Sequence, residues 1–324
     1  MPRCSTTSED QGQGQKVTKP SGAHPSTASK ESHTEKAIVN PKVEANLKRS
    51  IAPQVDEESL EHDLVANDRL GASVDTPYEK LGHIAGDGQG VYMVRRLSDG
   101  KIMASKVVNY HPSHHGAMMM GHGLYTWSHL NHSSIVALHD GVREGEYQMC
   151  YFMDYLAGGS LTNLPKSKRS YSQALAILAP IMDALIYLHG RGYVHRNLTP
   201  DNIVFAGDGR PVLVGLCVAA KFPCISRVGT QGWMAPEIEV GGKAYDERVD
   251  SYGIGLILWW FLFGPTHFVD KTAEVKVINW DLLERKKVPK DWKDLFRKLL
   301  KASPIKRWTV EKAREHPFVS RLSL

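Results

Sequence analysis

Tyr193–Phe205 reads YVHRNLTPDNIVF. Apolar, β-prone ends enclose a polar centre punctuated by Pro200, and such a segment reads as a loop between two short strands. At its middle stands Asn197. A side-chain amide is neutral and has no useful basicity. It can hydrogen-bond a hydroxyl but cannot take its proton. What this loop can do therefore depends on what the rest of the chain supplies around it.

The chain has 324 residues and a mass of 36.1 kDa. That suffices for a two-lobed domain of about 250 residues plus a tail. Residues 1–76 carry nine Lys/Arg against twelve Asp/Glu, a net −3, and the remainder carries 31 against 23, a net +8. A moderate positive charge suits an anionic ligand or an acidic partner. No basic stripe with interleaved aromatics occurs, so a nucleic-acid partner is not expected. The cysteines Cys4, Cys150, Cys217 and Cys224 form no CxxC pair, which argues against a zinc site or a disulfide framework. The start, MPRCSTTSED, lacks the apolar run of a signal peptide, and Pro2 excludes myristoylation there. The longest apolar stretch, Gly253–Gly264, is too short to span a bilayer and predicts a buried helix. An intracellular protein, cytoplasmic or nuclear and with no membrane partner, is the expectation.

Residues 1–76 contain no Trp, Tyr or Phe and are rich in polar residues. Such a segment buries too little apolar surface to offset its ordering entropy, so a disordered tail is expected, with a short amphipathic piece around Leu60–Leu70. Order is expected over 77–320. The N-terminal part, about 77–155, holds β-prone runs broken by glycines, with Ser98-Asp99-Gly100 as a hairpin turn. In the remainder, about 156–320, YSQALAILAPIMDALIYLHGRG (171–192) has apolar residues at helical spacing. Two further helices are expected over 250–264 and 292–303. Strands followed by helices predict an α+β, two-lobed arrangement, a β-rich N-lobe on a larger helical C-lobe.

Several blocks then occur in one order: GDGQG, Lys106 in ASKVV, LNHSSIV, MDYLAGGSL, YVHRNLTPDN, MAPE and DSYGIG. This order resembles the protein kinase superfamily from Tyr78 to Val319. MAPE, HPFV and the HRxLxPxN frame are similar to the Ser/Thr branch, and Arg95–Ile102 (RRLSDGKI) to the NIMA-related kinases. The resemblance implies a bilobal kinase fold with ATP held between the lobes. It assigns Gly86, Gly88, Gly90, Val91, Ala104, Lys106, Met153, Asp154, Leu156, Asn202 and Val204 to the nucleotide. His195, Arg196, Leu216, Glu237, Asp250 and Arg307 take structural roles in it. Glu237 and Arg307 match a buried ion pair. Asp250 matches the carboxylate that ties down the catalytic loop. Trp127, Leu138, His195 and Leu216 match an apolar column through both lobes. Ser226 reads as a plain loop serine, the alternative being a phosphorylation site read by Arg196.

Against that pattern four phosphotransfer groups are missing. The proton acceptor is Asn197, and the γ-phosphate lysine is Thr199. The principal magnesium ligand falls on Gly215, which has no side chain, and Asn202 alone is a poor magnesium site. The glutamate that aims the strand lysine falls on Gly123, and no Asp or Glu occurs between Gly100 and His139. Glycine costs about 1 kcal/mol in a helix interior, so the glycine- and methionine-rich run around Ala117–Tyr125 predicts an irregular helix. Asp201 and Asp208 read as a solvated loop residue and a turn residue. His111, His114, His115, His122, His129 and His132 crowd one region but lack the paired cysteines or HExxH of a zinc site.

The expectation is a pseudokinase: a kinase-fold scaffold or allosteric regulator, with nucleotide binding retained in attenuated form and Mg2+ not. Its partner would be a protein, an active kinase being one candidate. Met118, Met119 and Met120 offer an adaptable docking surface. The alternatives are an active Ser/Thr kinase with an atypical site and an ATP-sensing module without catalysis.

Overall fold

In the computed structural model the described residues are 77–85, 90–109, 123–144, 147–264 and 278–320, all within the unit formed by residues 37–324. The expected tail, Gly86 and Gly88, the methionines 118–120 and four of the six clustered histidines (111, 114, 115 and 122) lie outside them.

The N-terminal strands are β1 (Tyr78–Ala85), β2 (Val91–Arg96), β3 (Ile102–Asn109), β4 (Leu138–Glu144) and β5 (Gln148–Asp154). They form one antiparallel sheet in the order β1-β2-β3-β5-β4. The turn expected at 98–100 joins β2 to β3. Gly100 has φ +72° there, and Asp99 accepts a hydrogen bond from the Lys101 amide at 3.1 Å. Alternation along β5 sorts the side chains. Met149, Tyr151 and Met153 pack with Ala104, Val108, Leu124 and Trp127 on one face. Cys150 and Phe152 join Tyr78, Val94 and Met103 on the other, where the Tyr78 and Phe152 rings stack at 3.8 Å. A helical run, α1 (123–128), carries Leu124 and Trp127 against the first face. Of the run expected to form an irregular helix, residues 117–122 lie outside the described residues and 123–125 are helical.

The C-terminal part is built on α2 (Tyr171–His189), α3 (Pro236–Val240), α4 (Arg248–Phe263), α5 (Asp281–Arg285), α6 (Lys290–Leu299), α7 (Val310–Arg314) and α8 (Pro317–Ser320). The Ser170 hydroxyl caps α2, accepting from the Gln173 amide at 3.2 Å. Leu175, Leu178, Met182 and Leu185 follow at helical spacing and are buried. This helix has the length and hydropathy of a membrane span, but its apolar face is spent in the protein core. The apolar stretch read from the sequence is α4, buried from Val249 to Phe261. Short strands β6 (Tyr193–Val194), β7 (Ile203–Phe205), β8 (Pro211–Leu213) and β9 (Ala220–Lys221) pair β6 with β9 and β7 with β8. They bracket the polar loop, as its apolar ends predict.

Candidate functional site

The loop 195–202 is held from below by α4. Asp250, 1% exposed, accepts hydrogen bonds from the backbone amides of His195 at 2.8 Å and Arg196 at 2.9 Å, and His189 Nε2 lies 2.8 Å from the same carboxylate. Burial pushes the Asp250 carboxyl up, but the His189 hydrogen bond and the surrounding donors outweigh it and hold it below its ordinary value. That anchor supports the left-handed backbone of Arg196, φ +67°, a conformation non-glycine residues seldom adopt. Burial lowers the His195 pKa, so the ring is neutral and its Nε2 donates to the Val214 carbonyl at 2.9 Å. Trp127, Leu138, His195 and Leu216 are all buried, and the three apolar members belong to one cluster. Arg307 grips Glu237 with two hydrogen bonds, at 2.6 and 2.9 Å, as the sequence predicts.

Between the sheet and the loop lies a cleft of about 510 Å³. Val91, Ala104, Lys106, Met153, Asp154 and Leu156 line it from the sheet side, and Asn202, Val204 and Gly215 from the other. Nine of the assigned nucleotide and metal positions therefore converge. Lys106 sits opposite Val91 on β2 and Tyr151 on β5. It leaves β3 on the same face as Ala104 and Val108. Among the described residues no carboxylate pairs with it. Asn197, Thr199 and Gly90 do not line the cleft. Tyr155, Ser160, Asn163 and Val214 do, and the sequence reading omits them because their loops carry no periodic signal.

Each of the four altered positions has a physical counterpart. Gly123 is buried at the start of α1, where a Cβ would collide with the Cys217 carbonyl oxygen and lie 2.6 Å from its carbon. Gly215 has φ +85°, and a Cβ there would lie 2.7 Å from Oδ1 and Cγ of Asn202. The Asn202 amide thus fills the room a longer residue 215 would use, and its Nδ2 donates to the Asn197 carbonyl at 2.8 Å. The Asn197 side chain faces Thr230. Its Oδ1 accepts from the Thr230 amide at 3.0 Å and hydroxyl at 2.7 Å. Thr199, 4% exposed, is buried rather than presented to the cleft.

The segment that follows is tied down along its length. Arg196 donates to the Val218 carbonyl, to the Ser226 hydroxyl at 2.8 Å and to the Tyr245 hydroxyl at 3.4 Å. Cys224 and Tyr245 exchange backbone hydrogen bonds of 3.0 and 2.8 Å. Asp201 is exposed at the cleft edge, and Asp208 accepts from the Arg210 amide in its turn, as read from the sequence. His139, at 2.6 Å, and Lys101, at 2.9 Å, converge on Asp154 beside the cleft. His139 first and Lys101 second hold the Asp154 carboxyl down at about 2. Among the described residues no group of three or more His, Cys, Asp or Glu could hold a metal ion.

The profile of the protein kinase domain matches residues 77–319. An Aurora kinase of Yarrowia lipolytica is 24% identical over 256 residues, 75% of this chain and 68% of that protein. An Aurora kinase of Schizosaccharomyces pombe is 28% identical over 201 residues, 59% of this chain and 56% of that protein. Aurora kinase A-B of Xenopus laevis is 27% identical over 252 residues, 74% of this chain and 61% of that protein. The last two matches span less than two thirds of the relative's own length.

Proposed function

The chain belongs to the protein kinase domain family, and from that premise we propose that it is a pseudokinase. In this reading it receives a nucleotide in the cleft and acts by docking another protein rather than by transferring phosphate. The observation that carries the reading is Gly215 against Asn202. Magnesium needs hard oxygen ligands, usually carboxylate. Residue 215 offers none, and Asn202, whose Nδ2 donates to the Asn197 carbonyl, brings a single neutral amide oxygen. The residues present do not fit the metal, so no step is routed through it.

They do fit the nucleotide. Val91, Ala104, Met153, Leu156 and Val204 offer apolar walls to a base, and Lys106 offers a cation to phosphate oxygens. What the loop does besides is hold itself. Asn197 clasps Thr230, Asp250 clasps the loop backbone, and Arg196 clasps the segment around Ser226. These contacts keep the C-lobe surface in one arrangement, which is what a docking protein requires. A protein partner, an active kinase being one candidate, and an intracellular site belong to the same proposal.

A second reading, an active Ser/Thr kinase with an atypical site, draws its support from the comparisons. The relatives named above are kinases, and those names weigh on its side more than on the first. Asp201, an exposed carboxylate lining the cleft, adds to it. An ATP-sensing module without catalysis is the third, and Lys106 favours it. The likeness of Arg95–Ile102 to the NIMA-related kinases carries no part of the proposal.

Thermal shift of the full chain with ATP, ATP plus magnesium and ATP plus EDTA, run beside radiolabelled phosphate transfer, separates the three. Ligand at about 100 times its Kd adds about 2.7 kcal/mol. The pseudokinase and sensor readings expect a shift indifferent to EDTA and no transfer. Only the pseudokinase reading also expects a partner bound equally with and without ATP. Transfer that needs magnesium and is lost in Lys106→Ala would establish the second reading.

A further inference from the structure

The C-terminal end of the domain carries a feature that the cleft does not explain. From Lys298 to Lys312 the chain holds five cations, Lys298, Lys301, Lys306, Arg307 and Lys312, against one carboxylate, Glu311. Arg307 is spent on Glu237. The four lysines form no ion pair with any described residue, whereas Lys293 and Arg297 on the neighbouring turn of α6 both pair with Glu284.

The lysines come from different elements, and hydrogen bonds tie the 307–308 stretch to the end of α6. The Trp308 amide donates to the Lys298 carbonyl at 3.2 Å, and Arg307 Nε donates to the Lys301 carbonyl at 2.8 Å. Lys298, from α6, and Lys312, from α7, converge on one indole. Their Nζ atoms lie 5.0 and 5.4 Å from the Trp308 ring centre. Ile305, next to Lys306 in the chain, is 85% exposed, the most exposed large apolar side chain among the described residues. Unpaired like charges drawn together around an aromatic ring repel one another, and an aliphatic side chain left in water gains nothing. Both costs are relieved by one occupant, an acidic polypeptide with aliphatic anchors.

We propose that this surface docks the acidic stretch of the chain's own N-terminal region, residues 55–70 (VDEESLEHDLVANDRL). That stretch holds six carboxylates, at 56, 57, 58, 61, 63 and 68, against the single cation Arg69. Leu60 and Leu64 stand four residues apart, the spacing that would lay both beside Ile305. The charge asymmetry of the chain, net negative before residue 77 and net positive after it, is then a complementarity between two parts of one molecule. The inference is independent of whether phosphate is transferred in the cleft.

Zero-length carbodiimide cross-linking of the full chain, read by peptide mass spectrometry, tests it. The expected result is amide links from the carboxylates of 56–68 to Lys298, Lys301, Lys306 or Lys312 in the monomer, at a yield independent of protein concentration. The yield should fall at least tenfold in 1 M salt, where the screening length is about 3 Å. It should fall comparably in Leu60→Ser/Leu64→Ser, which leaves every carboxylate of the stretch and every described residue unchanged. Links confined to a covalent dimer would make the occupant a second copy and overturn the proposal. So would links spread equally to Lys286 and Lys287. So would silence at all four lysines, including silence accompanied by sedimentation with phosphatidylserine vesicles.

Discussion

Gly123 lies with its backbone against the carbonyl group of Cys217, so close that a Cβ would stand 2.6 Å from the carbonyl carbon. The obstacle is backbone, so no rotamer change relieves it. Gly123→Glu will therefore not supply Lys106 with a partner. It will force α1 away from the 215–217 segment and should destabilise the domain by about 1–3 kcal/mol, the usual range for overpacking. Urea denaturation measures the loss. A variant as stable as wild type, with ATP affinity raised, would contradict the contact.

On the pseudokinase reading, carboxylates placed in the loop bring no phosphate transfer. Gly215→Asp must displace the Asn202 amide and break its bond to Asn197. Asn197→Asp keeps an oxygen facing Thr230 but leaves residue 123 empty. The double variant is expected to transfer radiolabelled phosphate no faster than wild type. A gain of tenfold or more would favour an active ancestor-like site over the pseudokinase reading.

Removing the carboxylate of Glu237 leaves Arg307, 0% exposed at its side chain, without its partner. Breaking one half of a buried pair costs about 3–5 kcal/mol. Glu237→Ala should show that loss in denaturant. Asp208→Ala should cost under about 1 kcal/mol, because the Asp208–Arg210 pair is exposed and 3.7 Å apart.

Acid should loosen the Asp154 junction in a defined window. The carboxyl is held down at about 2 by His139 and Lys101. A depressed carboxylate contributes its full stability above the ordinary range near 4. That contribution is lost as pH falls through about 2. Between pH 5 and 2 the urea midpoint of wild type should therefore fall more steeply than that of Asp154→Asn. Parallel slopes would show that the cluster carries no linkage.

Lys106→Ala should abolish any thermal shift produced by ATP while leaving the unliganded melting temperature within a degree or two. Among the described residues no carboxylate depends on that ammonium, so its removal strands nothing. A large drop in the unliganded protein would place Lys106 in the scaffold instead.

The two-lobed plan was legible because the blocks are local in sequence: a glycine turn at 98–100, alternation through β5, helical spacing through α2. Glu237–Arg307 and Asp250 were legible through the family resemblance, which supplies long-range partners that composition cannot. The clasp of Asn197 on Thr230 and the approach of Gly123 to Cys217 were not. Each joins residues far apart in sequence, 33 positions in the case of Asn197 and Thr230. Neither leaves a periodic trace. The sequence shows that residue 123 lacks a side chain, whereas only the packed fold shows that none would fit.

The amide of Asn202 in the room beside Gly215 makes the two positions interdependent. The neighbour fills the space and makes a bond of its own, to the Asn197 carbonyl. A side chain placed at 215 meets an occupied site and lowers stability unless residue 202 changes with it. Residues 202 and 215 therefore behave as one unit of substitution, and single changes at 215 are filtered by packing before any chemistry is tried.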